Sequence, residues 1–290
     1  MAEEPQVIYV LRIIFEVIWV LLRLNLEIIK SLFRVVVPQD RKDVKGDIVL
    51  VTGAGHGMGR EIATRFGKLG AKVVCVDINS KGNEETISLI KKNKGDAYAY
   101  ICDVTDRSAV MQLAEKVEKD VGQVDILVNN AGIMPCKPVL KQTEKEIRAT
   151  MEINVNGNLW MIQAFLPAML DRNSGHIVAM SSMAGKMGLR NLVPYCGSKY
   201  AVRGIMESLA VELHEDPRNT NGIKFTTICP YIVNTGLCHN PRIRFEAVMK
   251  TVDPGDAADQ IVDAIFNLLS PSAGRILTDF IGTGLDPHDN

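Results

Sequence analysis

The hydrophobic pattern divides the chain into two unlike parts. Residues 7–37 are mostly apolar and carry six charged side chains, whereas from Asp47 onward short β-branched runs alternate with longer amphipathic stretches. A helical period governs the first part, and an alternation of strand-like and helix-like segments governs the second. We therefore predict an N-terminal helix with its linker over residues 1–45, followed by one larger domain over residues 46–290.

The charges of the first part predict an amphipathic helix. At about 100° per residue, they fall within one stripe about 60° wide. They are Arg12, Glu16, Arg23, Glu27, Lys30 and Arg34. Such a helix suits the surface of a membrane or a lipid monolayer, and a helix packed into a dimer interface is the alternative. The charges interrupt the run before it reaches the roughly 20 apolar residues of a spanning helix, and the acidic start is unlike a signal peptide.

The second part has the pattern of an α/β domain. Seven runs resemble strands: Ile48–Thr52, Lys72–Asp77, Ala97–Cys102, Asp125–Asn129, His176–Ser181, Ile223–Cys229 and Arg275–Phe280. Helical patterns lie between the early runs, at about Gly57–Leu69, Gly82–Asn93, Asp106–Val121 and Glu144–Leu170. Apolar strands separated by helices indicate a parallel sheet covered on both faces, and right-handed crossovers give a doubly wound fold of Rossmann type.

Composition narrows the class of protein. Lys and Arg total 33 and Asp and Glu total 34, so the net charge of −1 argues against nucleic-acid binding through bulk charge. The six cysteines lie mostly in apolar runs and do not form a disulfide framework, which favours a reduced, cytosol-facing compartment. The five histidines show no metal-ligand spacing, so no metal site is predicted.

A glycine-rich turn follows the first predicted strand. The segment Thr52-Gly53-Ala54-Gly55-His56-Gly57-Met58-Gly59 leads directly into a predicted helix. Glycines let the backbone approach a pyrophosphate, whose charge is favourable at a helix N-terminus. Asp77 ends the second strand about 20 residues further on, where a carboxylate accepts hydrogen bonds from ribose hydroxyls and repels a 2′-phosphate. The pattern therefore predicts a dinucleotide site that prefers NAD to NADP.

The order of these and later motifs resembles that of the short-chain dehydrogenase/reductase family over about residues 45–282. The resemblance rests on the glycine turn, Asp103-Val104, Asn129-Asn130-Ala131-Gly132, Asn154, Ser182 and Tyr195-x-x-x-Lys199. Residues 46–57, 164–169 and 229–236 and the apolar N-terminus are most similar to the membrane- and lipid-droplet-associated branch of retinol and 17β-hydroxysteroid dehydrogenases. The resemblance implies an enzyme of the endoplasmic reticulum membrane or of lipid droplets, with its catalytic domain facing the cytosol.

Chemistry and resemblance together predict the catalytic residues. Tyr195 and Lys199 lie four residues apart, so one helix presents both side chains on one face. A lysine ammonium stabilises a phenolate, which lets Tyr195 take the proton of an alcohol as hydride leaves for nicotinamide. The resemblance implies that Lys199 also holds the nicotinamide ribose, that Ser182 orients the substrate oxygen, and that Asn154 belongs to a proton relay.

Further positions follow from the resemblance. Asp103 and Val104 are expected to border the adenine. The rest of the cofactor cleft is expected to be lined by Gly53, Gly57, Met58, Gly59, Asn130, Ala131 and Gly132, and its nicotinamide side by Pro230, Val233 and Thr235. Family members usually form homodimers through two long helices, which correspond here to residues 143–170 and 195–215.

The substrate is predicted to be a lipophilic alcohol. Apolar residues are frequent in the segment 236–253, and further ones that suit a pocket are Met134, Leu189, Leu192 and Val193. Together with a membrane-seeking helix they favour retinol, a sterol or a fatty alcohol, and a preference for NAD favours oxidation. Tyr231 stands where many family members have glycine. A catalytically weak NAD-binding scaffold on a lipid surface is the alternative, which the intact set of four catalytic residues argues against.

Overall fold

The structure is a computed structural model that describes residues 6–36, 43–216, 218, 220–237 and 251–266. Its contacts divide the chain into two units, one of which contains the N-terminal helix α1 (Gln6–Val36) and the other of which spans Lys42–Phe266. The helix predicted over residues 7–37 is therefore confirmed to within one residue at each end.

Helix α1 is stabilised by contacts between side chains one turn apart. Arg12 Nε lies 3.4 Å from Glu16 Oε1, and the Arg23 guanidinium stacks 5.5 Å from the centre of the Trp19 ring. Large apolar side chains are exposed along the helix, among them Phe15 at 68%. Within the described residues, no helix combines the length and the apolar composition needed to cross a membrane.

The Lys42–Phe266 unit is built on a six-stranded parallel sheet in the order β3-β2-β1-β4-β5-β6. The strands are β1 (Ile48–Thr52), β2 (Lys72–Asp77), β3 (Asp96–Ile101), β4 (Ile126–Asn129), β5 (Gly175–Met180) and β6 (Ile223–Ile228). Strand order reverses between β1 and β4, which opens a crevice at the carboxyl ends of the strands. The Rossmann fold is confirmed, and the seventh predicted strand, Arg275–Phe280, lies outside the described residues.

Helices cover both faces of this sheet. They are α2 (Gly57–Lys68), α3 (Ser80–Lys92), α4 (Arg107–Asp120), α5 (Glu144–Met151), α6 (Gly157–Asp171), α7 (Val193–His214) and α8 (Pro254–Phe266). Side chains alternate along β1, so Leu50 packs in a core with α4, α6 and α7, whereas Val49 and Val51 pack in a second core with α2, α3 and α8. Burial on both faces explains why β1 is apolar without interruption.

Two features differ from the sequence pattern. The helix predicted over residues 144–170 is interrupted by a π-helical turn, Glu152–Asn156, which separates α5 from α6. A single wide turn inserts one residue without changing the apolar character of the segment, so periodicity does not reveal it. Helix α8 was not predicted, and it packs against α2, where Arg65 Nε lies 2.6 Å from Asp259 Oδ1.

Candidate active site

The turn between β1 and α2 requires glycine at several positions. Gly53 and Gly57 adopt positive φ angles of 66° and 55°, and a Cβ atom on Gly59 would overlap the carbonyl oxygen of Gly53. The cap residue of α2, His56, makes no side-chain capping hydrogen bond. The first amide groups of α2 are thus directed towards the turn without a side-chain cap, and this arrangement suits a pyrophosphate. Met58 packs against the core below the turn.

Thr52 connects this turn to the end of β4. Its hydroxyl oxygen accepts hydrogen bonds from the backbone amides of Asn130 and Ala131, both at 3.0 Å. The Asn130 side chain returns a hydrogen bond to the Thr52 carbonyl oxygen at 2.9 Å. In the sequence, Thr52 is only the start of the glycine motif, and this role is not visible there because its partners lie 78 and 79 residues away.

Asp77 is held in place by two backbone amides. Its Oδ2 accepts a hydrogen bond from Gly55 N and its Oδ1 from Asn79 N, each at 2.8 Å. The Gly55 carbonyl oxygen in turn accepts from Arg60, whose guanidinium also contacts Glu85 Oε2 at 2.9 Å. The carboxylate at the end of β2 is therefore held in place beside the glycine turn.

Asp103 and Val104 follow the end of β3, the strand that pairs with β2. The Asp103 carboxylate accepts hydrogen bonds from the amide and the hydroxyl of Thr105, at 2.9 and 2.8 Å. Val104 is buried, and a Cβ atom on Gly157 would lie 2.9 Å from its Cγ2 atom. Asp103 and Val104 thus lie at the carboxyl end of the sheet, next to the start of α6.

Tyr195 and Lys199 lie on the first turns of α7, and both are buried, at 6% and 5% exposure. Lys199 Nζ is 5.7 Å from the centre of the Tyr195 ring and donates a hydrogen bond to the Met180 carbonyl oxygen at 2.6 Å. Burial disfavours the ammonium and lowers the pKa of Lys199 to about 8. A Cβ atom on Gly132 would lie 3.6 Å from this Nζ, so Gly132 and Lys199 face each other.

Asn154 occupies the π-helical turn and is fully buried. Its Oδ1 accepts from Ile133 N at 2.8 Å, and its Nδ2 donates to Ile133 O and to Ser198 Oγ, both at 3.0 Å. Ser198 Oγ donates to the Tyr195 carbonyl oxygen at 2.8 Å. The Asn154 amide therefore joins the segment after β4 to the first turn of α7, and it lies 3.2 Å from the Cβ position of Gly132.

Ser182 follows β5 and begins the short 3₁₀ turn Met183–Gly185, where its Oγ accepts from Ala184 N at 3.1 Å. Ala184 belongs to the same buried cluster as Tyr195. The neighbouring Ser181 is engaged elsewhere, because its hydroxyl donates to the Lys199 carbonyl oxygen. Ser182 is therefore the serine of this pair whose hydroxyl is not committed to the backbone of α7.

The segment after β6 completes the described part of the cleft. The Pro230 carbonyl oxygen accepts from Met183 N at 3.0 Å, and the Val233 carbonyl oxygen accepts from Thr235 N at 2.9 Å. A Cβ atom on Gly57 would lie 3.1 Å from Thr235 Cβ, so this segment contacts the glycine turn. Residues 238–250, which make up most of the predicted substrate segment, lie outside the described residues.

The predicted site residues that end or follow the strands thus lie at the carboxyl end of the sheet. Two apolar side chains, Met134 and Leu192, pack against the cluster that contains Tyr195. Leu189, which follows β5, is 40% exposed, and Tyr231, which follows β6, is 37% exposed. No group of three side chains suited to a metal ion occurs in the part of the chain that the structure describes.

Known proteins are similar to this chain in sequence and in fold. A family model described as short chain dehydrogenase matches residues 47–243. Human 17-beta-hydroxysteroid dehydrogenase 13 is 40% identical over 241 residues, which cover 83% of this chain and 80% of that protein. Human epidermal retinol dehydrogenase 2 is 38% identical over 239 residues, which cover 82% and 77% of the two chains. A metagenomic short-chain oxidoreductase solved in complex with NADP is 28% identical and superposes with a TM-score of 0.66 over 78% of this chain and 93% of its own.

Proposed function

The chain belongs to the short-chain dehydrogenase family and is an NAD(P)-dependent alcohol dehydrogenase or reductase, and we propose that it oxidises a lipophilic alcohol with Tyr195 as general base. The observation that carries the proposal is the buried pair of Tyr195 and Lys199, 5.7 Å apart from ring centre to Nζ, beside a glycine turn at the switch point of the sheet.

In the proposed reaction, Tyr195 takes the proton of the substrate hydroxyl while Ser182 donates a hydrogen bond to the same oxygen. A bound nicotinamide supplies the acceptor for the hydride that leaves the carbinol carbon. The Lys199 ammonium favours the phenolate of Tyr195, and with a pKa of about 8 it keeps most of its charge at neutral pH. We assign Asn154 to the path by which the proton leaves, because its amide fixes the Gly132–Ile133 backbone opposite Lys199.

The glycine turn and the two neighbouring strand ends would hold the cofactor. The positive φ angles of Gly53 and Gly57 and the α2 N-terminus suit its pyrophosphate, and Lys199 suits the nicotinamide ribose. We propose NAD in preference to NADP because the rigid Asp77 carboxylate would repel a 2′-phosphate. Arg60, the cation that touches the turn, is bound to Glu85 and to two backbone carbonyl oxygens, which supports the same preference. NAD in turn favours oxidation of the substrate.

The proposed substrate class is a retinol-, steroid- or fatty-alcohol-like compound. Support comes from the apolar residues Met134 and Leu192, which pack against the cluster that contains Tyr195. Val193 and Leu237 add exposed apolar surface at 55% and 45%. Two relatives named above carry steroid and retinol in their names, which points to the same class of substrate.

We propose that the segment 1–45 attaches the protein through α1 to the endoplasmic reticulum membrane or to lipid droplets. The domain 46–290 then lies on the cytosolic side. The exposed apolar surface of α1 and its single charged edge support attachment along a lipid surface. A variant with Ile14→Asp and Ile18→Asp, opposite the charged edge, should leave the membrane fraction. The matched variant with Arg12→Ser and Glu16→Ser keeps the apolar side and the net charge, so it should still float with liposomes. Loss of both variants from the liposomes, or of neither, would contradict this arrangement.

We also propose a homodimer formed through α5, α6 and α7. Gly197, Tyr200 and Gly204 are exposed on one side of α7, and a Cβ atom on either glycine would meet nothing within 4 Å in this chain. Small residues of this kind allow a second helix to approach closely. Gly204→Trp should convert the dimer into a monomer in sedimentation experiments, whereas Gly188→Trp, at an open position outside α7, should leave it dimeric.

The enzymatic proposal is tested by formation of NADH. Full-length protein in liposomes is assayed over a panel of retinol, sterols and long-chain alcohols, beside Tyr195→Phe. Tyr98→Phe is the matched control, because Tyr98 is a half-buried tyrosine of β3 whose hydroxyl contacts Asp96 outside the cleft. Turnover of one substrate class that is lost only in Tyr195→Phe is the expected result. Equal turnover by Tyr195→Phe would overturn the assignment, and NAD binding without turnover would favour the scaffold alternative.

A further inference from the structure

A buried series of hydrogen bonds runs from the end of β4 to the first turn of α7 and passes through Asn158. Asn129 Nδ2 donates to the Asn158 carbonyl oxygen at 3.3 Å, and Asn158 Nδ2 donates to the Asn154 carbonyl oxygen at 2.8 Å. The series continues through the Asn154 amide and Ser198 to the Tyr195 carbonyl oxygen. Each of these five residues is at most 6% exposed.

The position of the Asn158 amide bears directly on the π-helical turn. A π-helical turn is rare and less favourable than a regular helical turn, so it needs support from its surroundings. Asn158 is the second residue of α6, and it donates to a carbonyl oxygen inside the turn. If the turn relaxed to a regular helix, the register of Asn154 would change, and its three bonds to Ile133 and Ser198 would be lost.

We infer that Asn158 is a positioning residue for the reaction, which keeps Asn154 in register and thereby holds the backbone of Gly132–Ile133 and of Tyr195 in place. The inference rests on the proposed function, since it takes Tyr195 as the base. The Asn158 side chain donates to the Asn154 carbonyl oxygen, and it acts on Tyr195 through Asn154.

A second observation separates positioning from general stability. Asn158 Oδ1 is buried and has no hydrogen-bond partner among the residues that the structure describes. A buried acceptor without a partner destabilises the fold, so the isosteric change Asn158→Leu removes one unfavourable group together with one favourable bond. The melting temperature of this variant is therefore expected to stay within a few degrees of wild type, while its activity falls.

The experiment compares three variants in liposome-bound full-length protein. Asn158→Leu removes the donor. Asn158→Thr restores a donor, because Thr150 shows that a threonine hydroxyl in this region reaches the carbonyl oxygen four residues earlier, at 2.7 Å from Glu146 O. Thr150→Val is the matched control, since it removes a hydrogen bond of the same kind from the last turn of α5, just before the π-helical turn.

The measurements are kcat, KM, the dissociation constant of NAD, the melting temperature, and hydrogen exchange of the peptide that contains Ile133. Asn158→Leu should lower kcat by about tenfold with little change in NAD binding, and should speed exchange at Ile133. Asn158→Thr should recover most of kcat, and Thr150→Val should resemble wild type. Hydrogen exchange needs no substrate, so it tests Asn158 even if no alcohol of the panel is oxidised and the proposed function fails.

Two results would overturn the inference. One is an Asn158→Leu variant with wild-type kcat and wild-type exchange at Ile133. The other is a loss of kcat that accompanies an equal loss in melting temperature or in NAD binding and that threonine does not restore, because this would be a purely structural role.

Discussion

The two ends of the cofactor cleft are built in different ways. At the proposed adenosine end, the half-buried Asp77 is held by amides only 2 and 22 residues away, and all of its described partners are backbone groups. At the proposed catalytic end, Asn154, Tyr195 and Lys199 are at most 6% exposed, and the Asn154 side chain is hydrogen-bonded to that of Ser198, 44 residues away. One end is thus a backbone frame around the Asp77 carboxylate, and the other is a buried network of side chains.

This difference has a consequence for substitutions. A change of charge at the adenosine end leaves the frame largely intact, so it should alter which cofactor binds more than it alters stability or rate. A change at the catalytic end removes a reacting group or an enclosed charge, so it should alter kcat or the free energy of unfolding by much more.

The largest effect is expected for Tyr195→Phe. The phenylalanine ring keeps the packing with Ala184 and Cys196 but has no hydroxyl to accept the substrate proton. Loss of general base catalysis should lower kcat by about 10³-fold, equivalent to about 4 kcal/mol. Steady-state kinetics with NAD measures the change, and titration with NADH checks that cofactor binding is retained. A variant that loses cofactor binding instead would place Tyr195 in the binding frame and weaken the contrast.

The next largest effect concerns the buried charge of Lys199. In the unfolded chain this side chain has its ordinary pKa of 10.5, whereas burial lowers it to about 8 in the folded protein. Between these values the unfolded state binds more protons than the folded state, so raising the pH stabilises the folded protein. Between pH 7 and 10.5, wild type should gain about 3 kcal/mol relative to Lys199→Met. Denaturant unfolding of the cofactor-free proteins measures this, and parallel curves for the two proteins would contradict it.

A smaller effect is expected for Thr52→Val, at the junction of the two ends. The valine removes the acceptor of the Asn130 and Ala131 amides, which then remain partly buried without that partner. The free energy of unfolding should fall by about 2 kcal/mol, and NAD should bind less tightly. Thr52→Ser keeps the hydroxyl and serves as the control. If Thr52→Val were as stable as wild type and Thr52→Ser, the hydroxyl would not carry the effect.

The same contrast explains which site residues could be predicted from the sequence. Glycines at a turn, an acid at a strand end and a tyrosine four residues before a lysine are recognisable because their chemistry depends on residue type and short spacing. The Thr52 hydroxyl was not recognisable, since only the fold brings its partners near. The Asn158 amide acts on a carbonyl oxygen four residues earlier, but its role depends on the π-helical turn, which the sequence pattern does not show. The π-helical turn also escaped prediction, because its extra residue is compensated by buried hydrogen bonds that leave no mark on the apolar pattern.

The smallest effect in free energy, and the sharpest test of the adenosine end, is expected for Asp77→Asn. The amide keeps an oxygen for one of the two backbone donors, Gly55 N or Asn79 N, but removes the charge. NAD should bind about fivefold less tightly, a loss of about 1 kcal/mol, and rejection of NADP should relax, while kcat with saturating NAD stays near wild type. Asp106→Asn is the control, since it removes a nearby charge at the start of α4 where asparagine also caps a helix. An unchanged ratio of NAD to NADP affinity would show that the Asp77 carboxylate serves the backbone frame alone, and the proposed preference for NAD would then need another source.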